Sequence, residues 1–195
     1  MKPITSLLLI ILLGLGLPAT AQKLKLQEGD LSLLSAVKKM NVIYDYSSMA
    51  VGKFDREADY IAKKKGEYNK KESGKGDAWE QNWIEDRATR YQPQFEELFN
   101  KHGKIELGNY PQETYTMIVK TSFVEPGYNI AISRKNAEID GEIWIVASNA
   151  PQSPLITISF DNAPGRSFGG YDYDTGFRIQ EAYAALGKAL AKYLK

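Results

Sequence analysis

Gly165-Arg166-Ser167-Phe168-Gly169 spells G-x-S-x-G, the spacing that sets a serine on a sharp strand-to-helix elbow with its hydroxyl exposed for acyl transfer. The surroundings argue against that chemistry. An elbow runs directly into a helix, whereas Gly170-Tyr171-Asp172-Tyr173 continues as loop, and the single histidine, His102, precedes the serine instead of following it. Asp161 and the string Asp172-Tyr173-Asp174-Thr175-Gly176 offer hard oxygen donors suited to Ca2+. An EF-hand loop begun at Asp172 would need a side-chain oxygen at its fifth position and Glu at its twelfth, where Gly176 and Tyr183 stand. A turn at Asp172 and a helix cap at Asp174 are the simpler reading, so no cofactor is expected and calcium is the one candidate. Glu125, Asp140, Glu142, Asp161 and Asp172 fall at expected strand ends or turns, where two carboxylates could cleave a glycoside if they met across the scissile bond. Acidic residues alternating with Ile139, Ile143 and Ile145 point instead to the wet face of a sheet.

His102 beside Gly103 reads as a cation at a helix end. Lys63, Lys64, Lys65, Lys70, Lys71 and Lys75 are interleaved with Glu67 and Glu72 and follow Asp55, Glu57 and Asp59, the pattern of a solvated helix face. Gly74-Lys75-Gly76 lacks the first Gly and the following Ser or Thr of a P-loop. Tyr128, Phe168, Tyr171 and Tyr173 sit in or beside expected loops, where aromatic tips give contact area at small entropic cost. Asp161, Arg166, Phe168, Tyr171, Asp172, Tyr173 and Asp174 are therefore the candidate binding residues.

Composition narrows the field. The chain has 195 residues, 43% hydrophobic and 25% charged, as globular domains do. With no Cys and one His, thiol nucleophiles, disulfides, zinc fingers and iron–sulfur clusters are excluded. Lys and Arg number 25 against 24 Asp and Glu; a general nucleic-acid binder needs a clear basic excess. The first 21 residues have the layout of a secretory signal: Lys2, an apolar run over 7–17, and Ala19-Thr20-Ala21 before the expected cleavage point. Lys2 is the only charge in that leader, so the remainder is formally neutral. No Cys follows the apolar run to carry a lipid, and no later run of 18 apolar residues predicts a membrane span. The expected location is periplasmic or secreted, with residues 22–195 as one domain.

The elements that must position these residues follow from periodicity. Residues 42–46 predict a strand, and 54–72 an amphipathic helix built on Phe54, Ala58, Ile61, Ala62 and Tyr68. After the 73–76 break, Asp77 and Glu80 resemble a capping box for a second helix with the stripe Trp79, Trp83, Tyr91, Phe95, Leu98 and Phe99, which Pro93 should kink near Tyr91. Period-two alternation over 115–124 and 138–145, a short strand over 128–133 and a strand over 155–161 read as an antiparallel meander. A loop over 162–174 leads to a last helix bearing Ile179, Ala182, Tyr183, Leu186, Ala189, Leu190 and Tyr193. The expected fold is α+β: a single antiparallel sheet packed on one face by helices, with a C-terminal helix.

Residues 41–52 (NVIYDYSSMAVG), 56–71 (READYIAKKKGEYNKK), 74–79 (GKGDAW), 115–129 (YTMIVKTSFVEPGYN) and 174–183 (DTGFRIQEAY) together resemble a family of uncharacterised secreted proteins of Bacteroidota-type bacteria. The resemblance implies an exported single domain and no activity. In element order the chain is also similar to small envelope domains such as the N-terminal domain of TolB or the periplasmic part of curli-secretion lipoproteins, which serve in binding and assembly. Fold likeness does not establish function. The expectation is a non-enzymatic exported domain that binds an envelope protein or glycan, and the alternative is an exported carboxylate-dependent hydrolase acting on glycans, calcium-assisted or not.

Overall fold

A computed structural model of the chain describes residues 22–130, 133–165 and 174–195. Strand β1 (Lys23–Glu28) and a single 3-10 turn (Leu31–Leu34) precede β2 (Lys39–Asp45) and the two-residue β3 (Ala50–Val51). Helices α1 (Glu57–Lys71) and α2 (Lys75–Asp86) follow, then a π-helical segment (Arg87–Tyr91) that runs straight into α3 (Gln92–His102). The short β4 (Glu106–Gly108) leads to the long β5 (Tyr115–Glu125), the hairpin strands β6 (Tyr128–Ile130) and β7 (Ser133–Lys135), then β8 (Ala137–Ala147), β9 (Pro154–Gly165) and α4 (Thr175–Tyr193).

The main sheet runs β1-β9-β8-β5-β2-β4, with β3 also paired to β5. Pairs β1/β9, β9/β8 and β8/β5 are antiparallel, but β2 and β3 lie parallel to β5, and β4 parallel to β2. The sheet is mixed, which overturns the expected all-antiparallel meander. The meander holds only where tight turns join consecutive strands. Between β3 and β5 the chain passes through three helices, and α3 carries it back to the end of the sheet where β2 began, so β5 must enter in the same direction as β2. The lead-in before residue 42 also hides an edge strand, β1, whose partner is the distant β9.

One sheet face makes the core. Met117, Val119, Ile143, Ile145, Ile156, Ile158 and Phe160 are fully buried there against Phe95, Phe99, Tyr183, Leu186 and Leu190 of α3 and α4. The other face carries Ile43, Asp45, Lys120, Glu142, Trp144 and Thr157 at partial or full exposure. Gly187 brings the two helices close: a Cβ there would run into the Phe95 carbonyl. No helix among the described residues is long and apolar enough to cross a membrane.

Two local expectations change. Helix α2 starts two residues before Asp77, with Gly74 at φ 81° as its N-cap, so no capping box forms; Asp77 instead pairs with Lys65 at 2.8 Å. Pro93 does disturb the second helix, through a wider turn. It has no N–H for the Thr89 carbonyl and its ring crowds that carbonyl, so the ladder opens by one residue into the π segment.

Candidate functional site

The π segment re-aims three side chains. The Tyr91 ring turns inward and stacks on Tyr183 at 5.2 Å and 4°. Arg87 reaches back to Glu57 in the first turn of α1 at 2.6 Å, a pair that is mostly buried. Arg90 emerges on the other side, where its Nε forms an ion pair with Asp86 at 3.0 Å and a terminal nitrogen donates to Asp174 at 2.6 Å. That triad forms the floor of an open cleft of about 470 Å³ between α2 and the first turn of α4.

Each wall has a local cause. Trp79 and Trp83, four apart on α2, stack at 5.7 Å, and Tyr68 of α1 leans on Trp79 at 5.8 Å. Trp83 is buried and donates its indole N–H to Glu57, leaving the half-exposed Tyr68 and Trp79 as the aromatic wall. Asn82 and Glu85 line the same side. Opposite them, Asp174 caps α4, accepting from the backbone N–H of Gly176 at 2.8 Å and of Phe177 at 3.4 Å. Gly176 lets the Asp86 carboxylate and Arg90 approach closely, and a Cβ there would push both side chains aside.

The two carboxylates titrate in opposite directions. Burial raises Asp86 above the ordinary carboxylate range, Arg90 pulling it down and Asp174 and Glu85 adding to the rise. Asp174 is also partly buried, but the bond from Arg90, its charge and the two helix amides outweigh that and hold it low. Divergent carboxyls in a cleft can mark an acid–base pair. Here three of the four oxygens are held: Asp86 Oδ1 by Arg90, Asp174 Oδ1 by the helix amides and Asp174 Oδ2 by Arg90. The arrangement builds a rigid, polar floor.

No family model matches the chain, and no curated protein does. Its fold is similar to that of a chain of the PelC dodecamer from Paraburkholderia phytofirmans, at a TM-score of 0.41 and 10% identity, covering 88% of this chain and 98% of that one. A likeness of that extent bears on neither the site nor its chemistry.

Of the sequence candidates, Asp174 lies in the cleft and is the helix cap expected of it. Asp161 is elsewhere, exposed on β9 in register with Lys23 of β1. Arg166, Phe168, Tyr171, Asp172 and Tyr173, and with them the G-x-S-x-G serine, lie outside the described residues, as does the leader. Of the carboxylates considered for glycoside cleavage, Asp172 lies outside the described residues and the other four do not line this cleft. Glu125 binds Lys135 at 2.6 Å, Asp140 accepts from the Asn162 amide at 2.6 Å, and Glu142 accepts from the Trp144 indole at 2.8 Å. Among the described residues no group of three or more His, Cys, Asp and Glu is placed to hold a metal ion. Sequence reasoning passed over Asp86, Arg90 and Asn82. The i,i+4 spacing of Asp86 and Arg90 was the available signal, but an exposed helical pair with that spacing is ordinary; only the arrival of Asp174 from a distant helix makes it a site.

Proposed function

We propose that the protein is a non-enzymatic exported module that binds an envelope macromolecule in the cleft between α2 and α4, and that this ligand is a glycan. One observation supports the reading: the flat rings of Tyr68 and Trp79 stand beside an Arg90 floor whose flanking carboxylates are already held. Aromatic faces pair with the C–H face of a sugar ring, while Asn82 and Glu85 supply hydrogen-bond partners for its hydroxyls. An open groove admits a chain as well as a single residue. Export is the expectation drawn from the leader.

Titration calorimetry of wild type and Trp79→Ala against polysaccharides purified from envelopes tests this reading. Loss of binding of about tenfold or more in a variant that still folds is expected for a stacking residue; equal affinity in the two proteins would move the ligand elsewhere.

The alternative of a carboxylate-dependent hydrolase has one observation in its favour, the raised Asp86 facing the lowered Asp174. On that reading the same polysaccharides would be cleaved by wild type and not by Asp86→Asn. With Asp174 held by Arg90 and two helix amides, we expect no cleavage by either.

A further inference from the structure

The far end of α4 is a second surface, independent of the cleft. Arg90 meets Asp174, Gln94 meets Gln180, and the Phe95 carbonyl packs on Gly187, so α3 and α4 run in the same direction and finish side by side. On their last turns and the residues just beyond stand Lys101, Lys104, Lys188, Lys192 and Lys195, all exposed, with His102 half-buried beside them. None of these five lysines has an ion-pair or hydrogen-bond partner among the described residues. His102 feels the field directly: partial burial first, then Lys188, Lys192, Lys101 and Lys195, hold its pKa below the ordinary value.

Cations at helix ends have a structural use, since each C-terminus carries about half a negative charge. Two such ends need roughly one positive charge between them, and five lysines leave most of theirs uncompensated. The shape of the patch decides what it fits. A discrete phosphate wants converging N–H donors, as at a helix N-terminus, whereas these two ends present carbonyls, which repel an anion brought close. Long lysine stems that reach past the carbonyls suit an extended surface on which each ammonium meets its own phosphate.

Orientation favours a surface over a soluble polyanion. The 19-residue α4 separates this end from the Asp86–Asp174 cleft by about 28 Å, so the cleft and its carboxylates point away when the lysine end touches. We propose that the C-terminal ends of α3 and α4 dock the protein on an anionic phospholipid surface, leaving the cleft facing outward.

The test is co-sedimentation of the protein with phosphatidylcholine vesicles containing or lacking phosphatidylglycerol. Anionic vesicles should bind it at least about tenfold better at low salt, and the gain should vanish at high salt. Lys188→Glu/Lys192→Glu should lose that gain, while Lys64→Glu/Lys70→Glu on α1 keeps it. If the first pair does not fold, Lys101→Gln/Lys104→Gln, which adds no acid, carries the same expectation. Three results overturn the proposal: no preference for anionic vesicles, equal loss in the α1 control, or full competition by inorganic phosphate, which would indicate a discrete anion site. Binding to soluble polyglutamate but not to vesicles would also overturn it, in favour of an acidic protein partner.

Discussion

The two ends of α4 treat charge in opposite ways. At its start, Arg90 is shared between Asp86 and Asp174, and Asp174 is shared again with two backbone amides. At its finish, five exposed lysines have no partner among the described residues. Paired charges fix geometry, and unpaired ones store a potential that only another molecule can satisfy. The cleft end therefore reads as a shaped site and the lysine end as an adhesive one, and a single helix holds them apart.

The largest effect should come from cutting what joins the two ends. Phe95 is fully buried between the sheet and α4, and Phe95→Ala should cost about 3–5 kcal/mol in denaturant unfolding. A much smaller cost would mean that α3 and α4 are positioned separately and the comparison has no common axis.

The next sharpens the paired end. Arg90→Met strands two carboxylates, and since Arg90 and Asp174 are partly exposed the cost at neutral pH should be about 1–2 kcal/mol. Its pH dependence has a definite sign. Asp174 sits low in the folded protein, so its contribution is present above the ordinary carboxylate range and lost as pH falls. Asp86 sits high, so it contributes in acid and loses that contribution as pH rises through its raised value. Without Arg90 both carboxylates should be harder to ionise, so the deficit of the variant should shrink on acidification. A deficit that grows in acid would mean the triad is not the source.

On the open sheet face Asp45 provides an intermediate case. Its bond from Lys120 at 2.8 Å and those from Ser47 hold it at about 2. Lys120→Met should cost about 1 kcal/mol at neutral pH, with the difference from wild type present above about pH 4 and lost as pH falls towards 2. The smallest effect belongs to the unpaired end. Lys188→Gln should change the melting transition by no more than about 0.5 kcal/mol, because nothing in the fold depends on that ammonium; a larger loss would show that the lysines are structural after all.

Much of the local structure was legible in the sequence. The alternation over 115–124 and 138–145 became β5 and β8, and the stripe Ile179, Ala182, Tyr183, Leu186, Leu190 became the buried side of α4. Pro93 marked the disturbed turn near Tyr91, although an open π turn replaced a kink. Strand β4 was missed because its three residues are too few to show a period, whereas β1 carries a brief alternation, Lys23-Leu24-Lys25-Leu26, that was passed over as lead-in because its partner β9 is far away in sequence. The site was less legible than the fold. Asp174 was visible as a cap, but capping is a local act; its bond to Arg90 spans 84 positions.

What the sequence determined by itself is what short-range physics controls: which stretches alternate and which turn at 3.6 residues, where Pro93 and Gly74 interrupt, and the exclusion of cysteine and multi-histidine chemistry. Strand direction and the pairing of distant charges were decided only in three dimensions. Three helices between β3 and β5 determine that β5 runs parallel to β2, and no local pattern encodes the path of a crossover. In the same way, α3 and α4 carry ordinary end lysines until parallel packing brings five of them to one end. Charge acts through space, and only the fold sets those distances.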